Sequence, residues 1–442
     1  MPTNILNLPT YIVTKLAEND NDYHIDAEAK DHPVSCQSCG EPDIVGFGRH
    51  EQLIRDLPMH GKRVGIYVDT RRYRCRACNK TFYERLPEVD DKRMMTLRLA
   101  KWIGKQSVKR PFAHIAEEIG LTENTIKNVF NDHIKELGRT VKFDTPQWMG
   151  IDEIHIIGRP RCVITNIENG TVFNVLRDRN KKTVTDYLLR LEDRDTVKLV
   201  AMDMWEPYRD AVRAAMPQAI IVIDKFHVVR MANSCLEVIR KSLREGLTNK
   251  QRRGLMHDRF VLLRREDDLE GLQRINLESW TKNYPVLGAA YRAKEDFFDI
   301  YNAETAKKAQ AMFTKWESTL APEIKDAFYP LVRASNNWMP EIMAYFNNRV
   351  TNAYTESLNN LIRLTNRIGR GYSFEALRAK ILFTEGVCKI KKPGFHRPGD
   401  ETLGMVAYAD LKKGVSTEYV EREINYGADI STLIRLLEEG KL

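Results

Sequence analysis

No run of about eighteen consecutive apolar residues occurs in this 442-residue chain, which excludes an ordinary membrane-spanning helix. The opening stretch, Met1-Pro-Thr-Asn-Ile-Leu-Asn-Leu-Pro-Thr10, has neither the basic start nor the long apolar core of a secretory signal, so a cytoplasmic protein is expected. Cysteine is sparse. Of seven, Cys162, Cys235 and Cys388 are scattered and read as core. The other four fall in two close pairs, which in a cytoplasmic chain points to metal rather than to disulfides. Residues 247–340 carry little strand signal, which leaves helix for that segment.

What is present divides the chain into more than one domain, as its length requires. The net charge of +8 is a mild argument for an anionic partner such as nucleic acid. Residues 1–30, with Asn19-Asp-Asn-Asp22, read as a helix or a loose lead-in. Residues 31–90 hold Cys36-Gln-Ser-Cys39 and Cys75-Arg-Ala-Cys78. Two such knuckles each aim their sulfurs at one point and together close a tetrahedral zinc site. His50 and His60 lie between them, but four cysteines already complete the set. Between the pairs, Ile66–Arg74 alternates as a strand. Arg71, Arg72 and Arg74 beside the second knuckle suit DNA phosphates; a solvated face accounts for any one of them equally well.

Residues 91–142 read as a helix-turn-helix. Ile115, Ala116 and Ile119 form the inner face of its first helix, Gly120 permits the turn, and Leu121 plugs the core. Thr122 or Glu123 starts the second helix, with Ile126 and Val129 inward. Asn124, Thr125, Lys127 and Asn128 then face a DNA major groove. A plain helical hairpin is the alternative.

After Pro146 the texture changes. Residues 148–157, 161–167 and 171–176 read as three antiparallel strands, the last two joined at Glu168-Asn-Gly170. A helix over 183–191, a strand over 197–203, a helix over 206–215, a strand over 219–224 and a helix over 227–246 follow. The order β-β-β-α-β-α-β-α predicts a ribonuclease H-like mixed sheet over residues 143–246. It is interrupted by an α-helical insertion over 247–340, which begins with a basic run containing Arg252 and Arg253; a DNA-backbone track and a solvated face compete for it. In the last part of the core, 341–390, a helix over 351–366 places Asn352, Glu356, Asn359/Asn360 and Arg363 on one face. Tyr354, Leu358, Leu361, Ile362 and Thr365 form the other face. Arg363 is a further DNA-contact candidate. A Gly-rich basic turn, Arg367–Ser373, and a helix over 374–383 follow. Residues 391–442 form a C-terminal segment without an assigned role.

Three carboxylates stand out. A carboxylate in a buried strand such as Asp152 is costly unless something charged offsets it. In a ribonuclease H-like sheet the first and fourth strands are neighbours, which sets Asp152 beside Asp203. Two adjacent carboxylates repel unless cations neutralise them. Two magnesium ions would do so, with Glu356 completing the cage; they would activate a water or 3′-hydroxyl and stabilise the leaving oxygen. Each acid has another reading. Glu153 competes with Asp152, Asp203 is a cap for the helix near Glu206, Asp224 is a supporting or substitute ligand, and Glu356 is a surface acid paired with Arg363.

Taken together, the paired CxxC knuckles, the helix-turn-helix, Gly150-Ile-Asp-Glu153, Ala201-Met-Asp-Met204, Val222-Ile-Asp-Lys-Phe-His-Val228, Thr351–Asn360 and Gly371-Tyr-Ser-Phe374 resemble the bacterial insertion-sequence transposases of the DDE class, in the ISL-three family. The resemblance covers the chain to about residue 390. It implies catalytic Asp152, Asp203 and Glu356 with Mg²⁺ or Mn²⁺, a structural Zn²⁺ on Cys36, Cys39, Cys75 and Cys78, and a helical insertion between the last two acids. It leaves the roles of Asp224 and His227 open; Asn352 and Asn360 are supporting candidates. The function it implies is binding of terminal inverted repeats, phosphodiester hydrolysis at the element ends and strand transfer to target DNA. Two ends handled together imply at least a dimer, associated with the nucleoid. A silent transposase-derived regulator and a nuclease without strand transfer are the alternatives.

Overall fold

Residues 6–386 are described by the structure, a computed structural model. The expectations for 391–442 and for Cys388 lie outside them. The described residues form two compact units: one runs up to Lys142 and includes Thr365–Thr384, the other runs from Phe143 to Leu364. None of the described helices is long and apolar enough to cross a membrane.

The first unit is built on a sheet of β1 (Tyr11–Glu18), β2 (Asp22–Ala29), β3 (Ile44–Met59), β4 (Lys62–Cys75), β5 (Thr81–Tyr83), β6 (Val89–Asp90) and β7 (Met95–Thr96). Its order is β1-β2-β4-β3-β7-β6, with β5 on β4. The expected N-terminal lead-in is therefore a β-hairpin. Its signal was the alternation of β2, where Tyr23, Ile25, Ala27 and Ala29 are buried and the residues between them are not. The acidic outer face disguises that period. Asn19 makes the turn, its side chain accepting from the backbone N–H groups of Asn21 and Asp22 at 2.9 and 2.8 Å.

Three helices follow: α1 (Leu97–Lys109), α2 (Phe112–Ile119) and α3 (Glu123–Thr140). Ile115, Ala116, Ile119, Ile126 and Val129 are buried as the pattern requires. Gly120 ends α2 at φ +75°, a left-handed position that suits glycine. Thr122 caps α3 by accepting from the Thr125 N–H at 3.2 Å. Leu121 is only half-buried.

The last described helix, α15 (Phe374–Glu385), belongs to this unit through residue 384, although its sequence position suggested the catalytic core. Lys380 is one tie. It is buried, and its ammonium donates to the carbonyl oxygens of Ser107 and Arg110 at the end of α1. It also lies 4.5, 5.4 and 4.8 Å from the rings of Phe112, Phe130 and Tyr372.

The second unit holds a sheet of β8 (Trp148–Ile156), β9 (Arg159–Asn166), β10 (Thr171–Val175), β11 (Leu199–Met202) and β12 (Ile220–Ile223), in the order β10-β9-β8-β11-β12. The first three strands are antiparallel, and β11 is parallel to both β8 and β12, the expected mixed sheet. Helices α4 (Lys181–Leu189), α5 (Glu206–Ala215) and α6 (Lys225–Ser242) connect and follow the parallel strands. The insertion is all helix: α7 (Asn249–His257), α8 (Arg259–Leu263), α9 (Leu272–Asn283), α10 (Pro285–Ile300), α11 (Ala306–Thr319), α12 (Pro322–Asn337) and α13 (Met339–Asn348). α10 and α12 pack on α6, so insertion and sheet share one apolar core. α14 (Ala353–Ile368) then returns the chain to the sheet.

Candidate active site

The register of the parallel strands sets the three aspartates in a row. Ile151 pairs with Met202 and Met202 with Ile223. Asp152, Asp203 and Asp224 come one residue later on neighbouring strands, which lie about 4.8 Å apart. Asp152 is 6 % exposed and Asp224 1 %. Burial is the main reason the Asp152 and Asp203 carboxyls are both pushed up to about 6; the charge of His227 pulls both down, while Asp224 adds to the rise at Asp152 and Asp152 to the rise at Asp203. Burial likewise raises Asp224 and Glu356.

Each alternative reading meets a definite arrangement. Glu153 is ion-paired with Arg179, whose guanidinium stands 4.6 Å over the Trp205 ring. Asp203 does not cap α5: no side chain caps that helix, and Asp203 Oδ1 is buried without a hydrogen-bond partner. Asp224 accepts from the backbone N–H of Phe226 at 3.2 Å and of Asn352 at 3.3 Å, joining the starts of α6 and α14. Glu356, in the first turn of α14, has no ion pair among the described residues; Arg363 instead donates to Asn360 at 3.0 Å.

α14 meets the sheet through a polar seam. Asn359 Nδ2 donates to Asp152 Oδ2 at 2.8 Å, Asn352 Nδ2 reaches the Ile151 carbonyl at 3.4 Å, and the Thr165 and Thr355 hydroxyls lie 2.7 Å apart. The Glu153 N–H donates to the other oxygen of Asp152 at 2.7 Å. This corrects the two-faced helix drawn from sequence. The inner stripe is Asn352, Thr355, Leu358, Asn359 and Ile362, whereas Leu361 is 37 % exposed. Of the two neighbouring asparagines on that face, Asn359 is the one bonded to Asp152, whereas Asn360 is exposed. A polar stripe at 352, 355 and 359 was the available signal.

Gly150 makes the seam possible. A Cβ there would lie 2.3 Å from Thr165 Oγ1, 2.4 Å from Asn352 Oδ1 and 2.8 Å from Thr355 Oγ1. Gly150→Ala is therefore expected to displace α14, at a cost of about 1–3 kcal/mol. A lowered thermal midpoint checks this, and a wild-type midpoint speaks against tight packing at the seam.

Beside Asp203 opens a pocket of about 650 Å³ lined by His227 and Arg230 of α6 and by Tyr329, Arg333 and Trp338 from the insertion. Arg230 and Arg333 expose their side chains, and such cations suit phosphate. No sequence spacing links position 333 to 203.

The other sequence candidates are dispersed. Asn124, Lys127 and Asn128 are exposed on α3, and Thr125 is half-buried. Arg71 is not a free cation: it pairs with Glu28 at 2.8 Å. Arg72 and Arg74 stand 5.5 and 5.7 Å from the exposed Phe47 ring. Arg252 and Arg253 are exposed on α7, but in the same basic run Arg240 is buried against Glu237 and Arg265 is paired with Asp299.

The four cysteine sulfurs lie within 4.8 Å of one another, with Cys36–Cys78 at 3.7 Å and Cys39–Cys75 at 3.6 Å. A tetrahedron of Zn–S bonds about 2.3 Å long has edges of about 3.8 Å, so the cluster fits zinc. Among the described residues this is the one group of three or more metal-binding side chains converging so closely.

Comparison with known proteins separates a zinc module, a helix-turn-helix and a longer segment that runs on into α15. A family model described as "Transposase" matches residues 149–381. Ahead of it, "zinc-finger of transposase IS204/IS1001/IS1096/IS1165" matches 32–78 and "Helix-turn-helix domain of transposase family ISL3" matches 84–134. The chain is 23 % identical over 345 residues to the transposase for insertion sequence element IS1001 of Bordetella parapertussis, covering 76 % of this chain and 85 % of that one. It is 25 % identical over 299 residues to the transposase for insertion sequence element IS1557 of Mycobacterium tuberculosis, covering 61 % and 66 %. The match to the sheet, the insertion and α14 takes in more than half of the sequence, and by it this chain belongs to the ISL3 transposase family.

Proposed function

We propose that this transposase binds the terminal inverted repeats of its insertion sequence, cuts the phosphodiester at each end and joins the freed 3′-hydroxyl to target DNA. The observation that carries the reading is the placement of Asp152 and Asp203 on adjacent parallel strands, with Glu356 brought in on a helix hydrogen-bonded to Asp152 itself. The four-cysteine zinc module and α3 read the DNA; Arg230 and Arg333 hold the strand being cut beside Asp203.

The residues fit divalent metal. Asp203 keeps a buried oxygen without a partner, and Asp152 beside it raises its affinity for protons, which a cation would relieve. A pair of ions would draw its ligands from a wider area than a single coordination sphere, which would suit acids that do not converge on one point. Mg²⁺ or Mn²⁺ held by Asp152, Asp203 and Glu356 would activate the attacking water or 3′-hydroxyl and stabilise the leaving oxygen. The chain's own part is positional. Asn359 and the Glu153 N–H fix both oxygens of Asp152, and Asp224 fixes the first turn of α14 and with it Glu356. Two ends processed together call for at least a dimer on DNA.

The test is cleavage of labelled terminal-repeat duplex in Mg²⁺ or Mn²⁺ by wild type and Glu356→Gln. Wild type is expected to cut at the element end; the variant is expected to bind equally and not cut. Binding without cutting by wild type in either metal would leave a DNA-binding regulator. Cutting without joining to a supplied target would leave a nuclease.

A further inference from the structure

The Gly-rich basic turn between α14 and α15 has no part in the carboxylate site. Within the N-terminal unit it faces the start of α3. A pocket of about 400 Å³ there is lined by His114 of α2, Asn124 and Lys127 of α3, and Arg370 and Ser373 of the turn, with Glu123 as its one acid. Four cationic or hydrogen-bonding side chains from two distant sequence segments therefore stand around Lys127 in one concavity.

The turn is held in place from behind. Tyr372 is buried, edge-on to Phe112 at 5.2 Å, and its ring lies 4.8 Å from Lys380 Nζ. Ser373 Oγ caps α15 by accepting from the Ala376 N–H at 3.2 Å. A Cβ on Gly369 would lie 2.1 Å from the Tyr372 ring. Arg370 itself sits at φ +48°, a left-handed conformation that a side-chain-bearing residue keeps only where its surroundings impose it.

What the turn presents is an uncommitted cation. Many arginines of this unit are neutralised: Arg63 by Asp22, Arg93 by Asp90, Arg98 by Asp56 and Arg110 by Glu118. The side chains of Arg370 and Lys127 are exposed and have no ion pair or hydrogen bond among the described residues. The start of α3 adds the positive end of an 18-residue helix.

We propose that this pocket holds one backbone phosphate of the DNA read by α3, gripped between Arg370 and Lys127, so that the turn after the catalytic helix is a working part of the DNA reader. The proposal rests on the reading of the chain as a binder of element ends. A phosphate clamp positions the duplex without reading its sequence, whereas Asn124 and Asn128 are left to address base edges.

The experiment is fluorescence anisotropy with the full chain, without Mg²⁺ or Mn²⁺, on a duplex carrying the terminal inverted repeat and on a scrambled duplex of equal length, across a salt series. Arg370→Gln is expected to weaken both complexes by about tenfold. It is also expected to reduce the slope of log K against log salt by about one. Lys127→Gln should do the same, and the double variant should lose about one in slope rather than two, since both cations serve one phosphate. Arg370→Lys should keep most of the slope. Wild-type affinity and slope for Arg370→Gln overturn the proposal, as does a slope loss of two in the double variant or a loss confined to the terminal repeat. If wild type does not distinguish the two duplexes, end recognition fails, while the slopes still decide the pocket. Unchanged thermal midpoints confirm that these exposed substitutions leave the fold intact.

Discussion

Asp203→Asn should abolish cleavage of the element end, by roughly a thousandfold or more, and at the same time stabilise the metal-free protein above about pH 6. The loss follows if Asp203 holds a metal that stabilises several kcal/mol of charge in the transition state. The gain in stability follows from burial. The folded-state carboxyl is raised from 3.8 to about 6. Below about pH 4 it is protonated in both folded and unfolded chains and costs nothing. Between pH 4 and 6 the unfolded chain ionises first, so stability falls as pH rises. Above pH 6 the full penalty stands, on the order of 3 kcal/mol before relaxation. Asparagine removes the charge and with it that penalty. Thermal melts of wild type and variant should therefore coincide near pH 4 and separate by pH 7. Added Mg²⁺ should raise the wild-type midpoint and leave the variant's unchanged. Equal melts at pH 7, or cleavage within tenfold of wild type, would remove Asp203 from the site.

The alternating and continuous apolar runs of β8 to β12 were legible because each strand declares its burial locally, and the neighbouring placement of β8 and β11 follows from connection rules. So were the two cysteine knuckles and the helix-turn-helix, whose patterns are short and self-contained. What escaped depends on packing between distant segments. Apolar periodicity misplaces the face of α14, because that helix docks on Gly150, Thr165 and the Ile151 carbonyl, a polar seam that buries asparagine and threonine and leaves Leu361 exposed. Arg333 reaches the pocket beside Asp203 only because the insertion folds onto α6. Lys380 looks like a surface cation of an amphipathic helix. Its burial is set by two carbonyls and two rings contributed by residues far earlier in the chain, and by the ring of its near neighbour Tyr372.

The N-terminal module should depend on zinc in one part and not in another. Its apolar core, Tyr11, Tyr23, Ile25, Ile54, Val64, Ile66 and Val68, gathers on β1, β2, the second half of β3 and the first half of β4. The far end of the β3–β4 hairpin buries almost nothing: residues 46–51 are exposed. There the two knuckles close on each other, with the Cys36 N–H bonded to the Glu41 carbonyl and the Cys75 N–H to the Lys80 carbonyl. Apolar burial cannot hold such an end. A four-thiolate zinc site contributes about 10–16 kcal/mol when its ligands are intact, far more than that hairpin end has from other sources. Cys75→Ser should therefore release zinc, and limited proteolysis should cut within residues 32–85 while the Phe143–Leu364 unit persists. The first half of the sheet, with its own core, should keep its protection. Terminal-repeat binding should fall at least tenfold, since the half-buried Arg72 and the exposed Arg74 ride on the affected strand end. Zinc content per chain, protease mapping and DNA affinity read the three consequences separately. A zinc-free variant that resists protease and binds DNA as wild type would show that the hairpin end stands on its own strand pairing, and that the four thiols are not what orders it.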